Sequence, residues 1–155
     1  GQPLINIFTA VLEILKKYPD VDVLYPVHPN PNVQKLAHEK LGNHERIRLC
    51  EPLDYFDFVA AMRDSYIILT DSGGVQEEAP SLKKPVLVLR ETTERPEAVE
   101  AGTSLLVGSD VKKIVLEASR LLSDESYYAS MQVQASPFGE GSAGQKIINS
   151  IANFK

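Results

Sequence analysis

The segment Thr70-Asp71-Ser72-Gly73-Gly74-Val75-Gln76-Glu77-Glu78 combines the residue types that hold an anion. It begins where a short apolar run, Tyr66 to Thr70, ends and a helical pattern starts. At such a junction the first backbone N–H groups of the helix have no partner, and the helix dipole favours negative charge. Two adjacent glycines let a phosphate come close to the backbone, and the Ser72 hydroxyl can add a hydrogen bond. The spacing is neither that of a P-loop nor that of a GxGxxG fingerprint. A capping box is incomplete, because with Ser72 as N-cap the third helical position is Val75. An ordinary strand-to-helix turn capped by Ser72 or Asp71 fits the same residues. Both readings stand at this level.

Helical geometry separates the two carboxylates that follow. With Val75, Ala79 and Leu82 on the inward stripe, Glu78 lies about 60° from Val75 and Glu77 about 160° away. Glu77 is therefore expected in solvent. Glu78, at the stripe's edge, can accept the two hydroxyls of a ribose or serve as a surface glutamate favoured by the dipole. His28 ends an apolar segment between Pro26 and Pro29 on a stiff loop, where it is either structural or part of a ligand site. His38 and His44 read as solvent-facing, and no spacing among the three histidines suggests a metal site. Arg90 to Glu97 is a charge-dense loop in which Arg95 precedes Pro96, and Thr92 and Thr93 offer hydroxyls. Arg95 can meet a phosphate or remain in a solvated loop. Tyr55, Phe58, Val59 and Met62 have core spacing, although the Leu53 turn and Phe58 can also border a planar base. Cys50, the single cysteine, has no activating neighbour and reads as an inert thiol.

The elements that must carry these residues alternate. Apolar strands are expected at 21–27, 46–50, 66–70, 86–89 and 104–107. Helices are expected at 4–17, 33–41, 53–62, 74–82, 96–101 and 111–122, with further helical stretches at 124–134 and 142–154. Strands that are apolar throughout are buried on both faces, and strands alternating with helices make parallel βαβ units. The expected fold is α/β, a doubly wound, Rossmann-like parallel sheet of about five strands with helices on both faces. Ligands in such sheets gather at the carboxyl ends of the strands. The 155 residues, 43% hydrophobic and 24% charged, suit one domain without repeats or linkers. A net charge of −5 without a basic cluster argues against nucleic acid. No apolar run approaches the ~20 residues that span a bilayer. The chain opens on Gly1-Gln2-Pro3 rather than methionine, which leads us to expect part of a longer protein.

Four stretches together resemble the C-terminal domain of the non-hydrolysing UDP-N-acetylglucosamine 2-epimerases, which have the two-domain GT-B fold. They are Tyr25 to Pro31, Glu51 to Tyr55, Thr70 to Pro80 and Lys84 to Ala98. The tail Ser136 to Ala143 is similar to the family's closing motif. The resemblance implies that 1–155 is a UDP-binding C-terminal domain whose N-terminal Rossmann-like partner lies outside the chain. Ser72, Gly73 and Gly74 would hold the diphosphate and Glu78 the ribose. Leu53 and Phe58 would border the uracil, while His28 and Arg95 would face the cleft.

The family interconverts UDP-N-acetylglucosamine and UDP-N-acetylmannosamine by eliminating and re-adding UDP, without metal or redox cofactor. Its acid and base residues belong to the other domain, so here only the cleft-facing His28 and Arg95 stand as catalytic candidates, and this chain alone should not turn over. The resemblance further implies a cytoplasmic homodimer, with no nucleic-acid or membrane partner, serving polysaccharide biosynthesis. Two alternatives are a UDP-sugar-binding domain of a GT-B glycosyltransferase and a non-catalytic regulatory module phosphorylated on Asp71. The second lacks the companion acidic pair expected near the first strand.

Overall fold

The structure is a computed structural model that describes residues 1–132 together with 137 and 138. The helix expected at 142–154 and most of the similar tail at 136–143 lie outside the described residues, as does the end of the stretch at 124–134. The remaining elements follow in strict alternation: α1 (Gln2–Lys17), β1 (Val23–Pro26), α2 (Pro31–Leu41), β2 (Ile47–Cys50), α3 (Tyr55–Asp64) and β3 (Ile68–Thr70). After these come α4 (Gly73–Glu78), β4 (Val86–Val88), α5 (Pro96–Glu100), β5 (Ser104–Leu106), α6 (Val111–Ser123) and α7 (Glu125–Ser130). The helix expected over 74–82 stops short as an α-helix and tightens into a 3-10 turn, Ala79–Leu82. Pro80 explains the change, because it has no N–H to donate to the carbonyl of Gln76. Lys83 closes the turn in the left-handed conformation, at φ 56°.

All strand pairs are parallel, with Val23 opposite Ile47, Ile68 opposite Val86 and Val86 opposite Ser104. The fold is thus the expected α/β layering, with one difference. The ladders form two groups, β1–β2 and β3–β4–β5, rather than one continuous five-stranded set. β1 ends on Pro26, which offers no N–H, and β3 is only three residues long, so little edge is left for a ladder between them. Side chains join the groups instead. From α1, Phe8 and Leu15 pack with Val27, Ala37, Leu41 and Ile47 on the β1–β2 side. Ala10 and Ile14 of the same helix pack with Leu87, Ile114, Ala118 and Leu121 on the other. Val86, Leu87 and Val88 are fully buried, as expected of a central strand covered on both faces.

A polar clamp fixes the start of β2 against the end of α1. The Arg46 guanidinium donates to the carbonyls of Leu15 at 2.6 Å, Tyr18 at 2.9 Å and Val21 at 2.8 Å. A cation placed there satisfies end-of-helix carbonyls and suits the negative end of the dipole. Tyr25 of β1 lies edge-on to Phe8, with ring centroids 5.8 Å apart. Burial, and then the nearby Asp71 carboxylate, raises its phenol above the ordinary tyrosine value.

Replacing Arg46 by Met should cost about 2–3 kcal/mol in urea unfolding, because three partly buried carbonyls lose a charged donor. Tyr25 adds a pH dependence whose sign is set by its raised phenol. Its neutral form is favoured in the fold, so its contribution is intact below about pH 10 and is lost as pH rises further. Tyr25→Phe should leave stability near neutral pH almost unchanged and shrink the loss measured above about pH 10.

Candidate functional site

β3 ends at the buried Thr70, whose hydroxyl accepts from the Ser72 N–H at 3.0 Å. This local bond turns the chain out of the sheet and starts α4 at Gly73. Ser72 takes the N-cap position with extended backbone, φ −85° and ψ 130°, but its side chain makes no capping bond. α1 and α5 also lack a side-chain capping bond, but four other helices differ. Asn30, Asp54, Asp110 and Asp124 each accept a first-turn N–H of α2, α3, α6 and α7. The side-chain cap that would make this an ordinary turn is therefore missing. Neither glycine is required by the fold: a Cβ on Gly73 would come 3.7 Å from Arg95 Nη2, and one on Gly74 would come 3.8 Å from Ser72 Oγ. Both are ordinary contacts, so what the glycines leave is room in front of the first-turn amides.

Arg95 fills the flank of that space. Its Nε donates to Glu77 Oε1, and its Nη1 donates to the Glu94 carbonyl at 3.1 Å. Nη2 lies against Gly73 and has no acceptor among the described residues. The guanidinium thus turns an uncommitted edge towards the start of α4. Glu77 corrects the sequence expectation. It is only half exposed, being covered by Arg95, where helical geometry placed it in solvent. Helix geometry alone sees one helix, whereas the loop after β4 folds over this flank of α4.

Gln76 is the residue at this site that sequence reasoning passed over. Its side chain is fully buried, at 0% exposure. Nε2 donates to the Ser72 carbonyl at 3.3 Å, and Oε1 accepts from the Thr93 hydroxyl at 2.5 Å. Thr93 in turn accepts the Arg95 backbone N–H at 3.0 Å. The signal that could have found Gln76 is its position about 100° from Val75, on the flank of the apolar stripe. A polar residue there demands partners if another segment covers it. Thr92, by contrast, is exposed.

The other expected residues are distributed around this centre. Glu78 is half-buried one turn into α4, as its place at the stripe's edge requires. Phe58 of α3 packs against the cluster of Met62, Val75, Ala79, Val86 and Val88, which ties α3 to α4. Leu53 is half-buried in the loop before α3. Tyr55 does not join the core: it is 63% exposed and edge-on to Phe56 at 5.9 Å, because α3 begins at Tyr55 and its first turn extends beyond the cluster. His28 is exposed at the end of β1, and its Nδ1 accepts the Asn30 N–H at 3.1 Å. That bond puts the proton of a neutral ring on Nε2. His44 is half-buried rather than solvent-facing, since its Nδ1 accepts the Arg46 N–H at 3.2 Å. Cys50 is a free, half-buried thiol. Among the described residues no set of three or more His, Cys, Asp or Glu is arranged for a metal, and no helix is long and apolar enough to cross a membrane.

Comparison with known proteins gives this geometry a family. The family model described as UDP-N-acetylglucosamine 2-epimerase matches residues 1–152. The UDP-N-acetylglucosamine 2-epimerase of Yersinia pestis is 52% identical over 150 residues, covering 97% of this chain and 40% of the relative. That of Bacillus subtilis is 50% identical over 151 residues, with 97% and 40% covered. Among solved structures, the S. aureus MnaA–UDP co-structure superposes with a TM-score of 0.92 at 49% identity, covering 97% of this chain and 41% of that one. The Neisseria meningitidis UDP-GlcNAc 2-epimerase bound to UDP-GlcNAc has a TM-score of 0.92 at 46% identity, with 99% and 42% covered. The chain therefore spans about two-fifths of the length of the relatives it matches. It belongs to the UDP-N-acetylglucosamine 2-epimerase family.

Proposed function

We propose that residues 1–155 form the UDP-holding C-terminal domain of an enzyme that interconverts UDP-N-acetylglucosamine and UDP-N-acetylmannosamine. The observation that carries this reading is the uncapped start of α4 with the Arg95 Nη2 edge beside it. First-turn amides and a guanidinium converging on open space suit a diphosphate. The relatives solved with UDP and with UDP-GlcNAc support the choice of nucleotide. In this assignment Ser72, Gly73, Gly74 and Arg95 take the diphosphate and Glu78 the ribose hydroxyls. Leu53 and Phe58 border the uracil, and His28 faces the sugar side of the cleft.

The chemistry follows from what such a site can do. Elimination of UDP breaks the bond between the sugar C1 and the diphosphate oxygen while a base removes the C2 proton. Charge then accumulates on the departing diphosphate, and donors already aimed at it lower the barrier without reorganising. Return of the diphosphate oxygen to C1, with a proton delivered to the opposite face of C2, gives the epimer. The acid and base are assigned to the N-terminal domain of the same enzyme, in the part of the family's length that this chain does not span. The same family reading extends to a cytoplasmic homodimer.

UDP should bind this chain weakly, at about millimolar dissociation constant, because one wall of a cleft supplies only part of the contacts. Titration followed by amide NMR should move Gly73, Gly74 and Glu78, and resonances unmoved at saturation would refute the assigned site. Gly73→Ala should leave stability unchanged or slightly higher, since the added methyl meets no clash, yet weaken UDP about tenfold by occupying the phosphate's approach. Glu78→Gln should weaken UDP about tenfold and leave inorganic pyrophosphate unaffected. Equal losses for both ligands would show that Glu78 does not read the ribose.

A further inference from the structure

We propose that Gln76 and Thr93 are positioning residues that aim the Arg95 guanidinium at the diphosphate. This inference rests on the UDP-binding reading and adds residues that need not touch the ligand. A fully buried amide costs several kcal/mol unless its polar atoms are paired, and Gln76 resolves that by bonding Ser72 on one side and Thr93 on the other. The Thr93 hydroxyl has a single proton. It gives that proton to Gln76 Oε1 and takes the Arg95 N–H on its lone pair, so its orientation is fixed in both directions. The backbone of Arg95 is thereby bolted to the side of α4.

From that anchor the side chain has few choices left. Glu77 takes the Nε–H, the Glu94 carbonyl takes Nη1, and Nη2 is left over Gly73. The helix that presents the amide donors thus also carries, one and two residues after Val75, the groups that set the direction of the cation. Donors and cation then move as one body, which keeps their spacing matched to a diphosphate with no conformational search on binding. The Ser72 carbonyl enters the same chain of bonds, so the peptide leading into Gly73 is tied to the Arg95 loop as well.

The test compares Thr93→Val, which keeps shape but removes the hydroxyl, with Thr93→Ser, which restores it. Two readouts are needed. The first is the Arg95 Nε–H signal in nitrogen-edited NMR, which an ordered guanidinium bonded to Glu77 keeps resolved and slow to exchange with water. The second is affinity for UDP and for inorganic pyrophosphate. In Thr93→Val the Nε–H signal should broaden into exchange, and both ligands should weaken by the same factor, about tenfold. Thr93→Ser should recover signal and affinity together, while amide shifts in α1, β4 and α6 stay in place in both variants. A Thr93→Val chain that keeps the Nε–H signal, or loses it with UDP affinity intact, overturns the proposal. Failure of the unsubstituted chain to bind UDP overturns the nucleotide reading instead, and the Nε–H signal then decides the positioning claim alone.

Discussion

The hydrogen bond between the buried Gln76 amide and the Thr93 hydroxyl is the constraint on which the site depends. It crosses from α4 to the loop after β4, two segments that also meet through the more exposed Arg95–Glu77 pair. Because Gln76 is sealed from water, neither partner can trade the bond for solvent at low cost. The consequence is a fixed relation between the start of α4 and Arg95. The half-exposed ion pair of Arg95 with Glu77 would be weak alone, since such pairs gain little. Anchored through Thr93, it becomes a directional element.

The surrounding fold exists to hold that relation still. β4, fully buried over Val86, Leu87 and Val88, sets the origin of the Arg95 loop, and β3 sets the origin of α4. The two strands are neighbours in one parallel ladder, so their carboxyl ends lie side by side. Phe58 and Met62 brace α4 from the α3 side, while α1 spans the two strand groups and joins their cores. Uncapped donors at α4 are tolerable within this frame because they face solvent rather than a core. The same donors would be costly if buried.

Much was legible in the chain itself. Short continuous apolar runs and period-3.6 apolar patterns placed every described strand and helix within a few residues, because burial on both faces of a strand or on one face of a helix demands them. The open turn at Ser72-Gly73-Gly74 was legible for the same local reason: a helix start with no acidic third residue leaves its donors unclaimed. Glu78 fell at the stripe's edge, as one-helix geometry requires. The errors share one cause. Glu77, Tyr55 and His44 were placed by looking at single elements, and each is decided by a neighbour or its absence. Arg95 covers Glu77, none of the described residues covers the first turn of α3, and the Arg46 N–H claims His44.

Residue types and spacing by themselves determined the alternation of strands and helices, the anion-suited turn and the resemblance to an epimerase family. These are local properties, set by side-chain period, glycine placement and unpaired helix donors. Only the tertiary structure decided that the ladders split into two groups and that Gln76 is sealed inside. Only it showed that one edge of Arg95 has no acceptor among the described residues beside Gly73. Those outcomes depend on which loop lies across which helix, and sequence separation hides that: Gln76 and Thr93 are 17 residues apart along the chain, yet share a hydrogen bond.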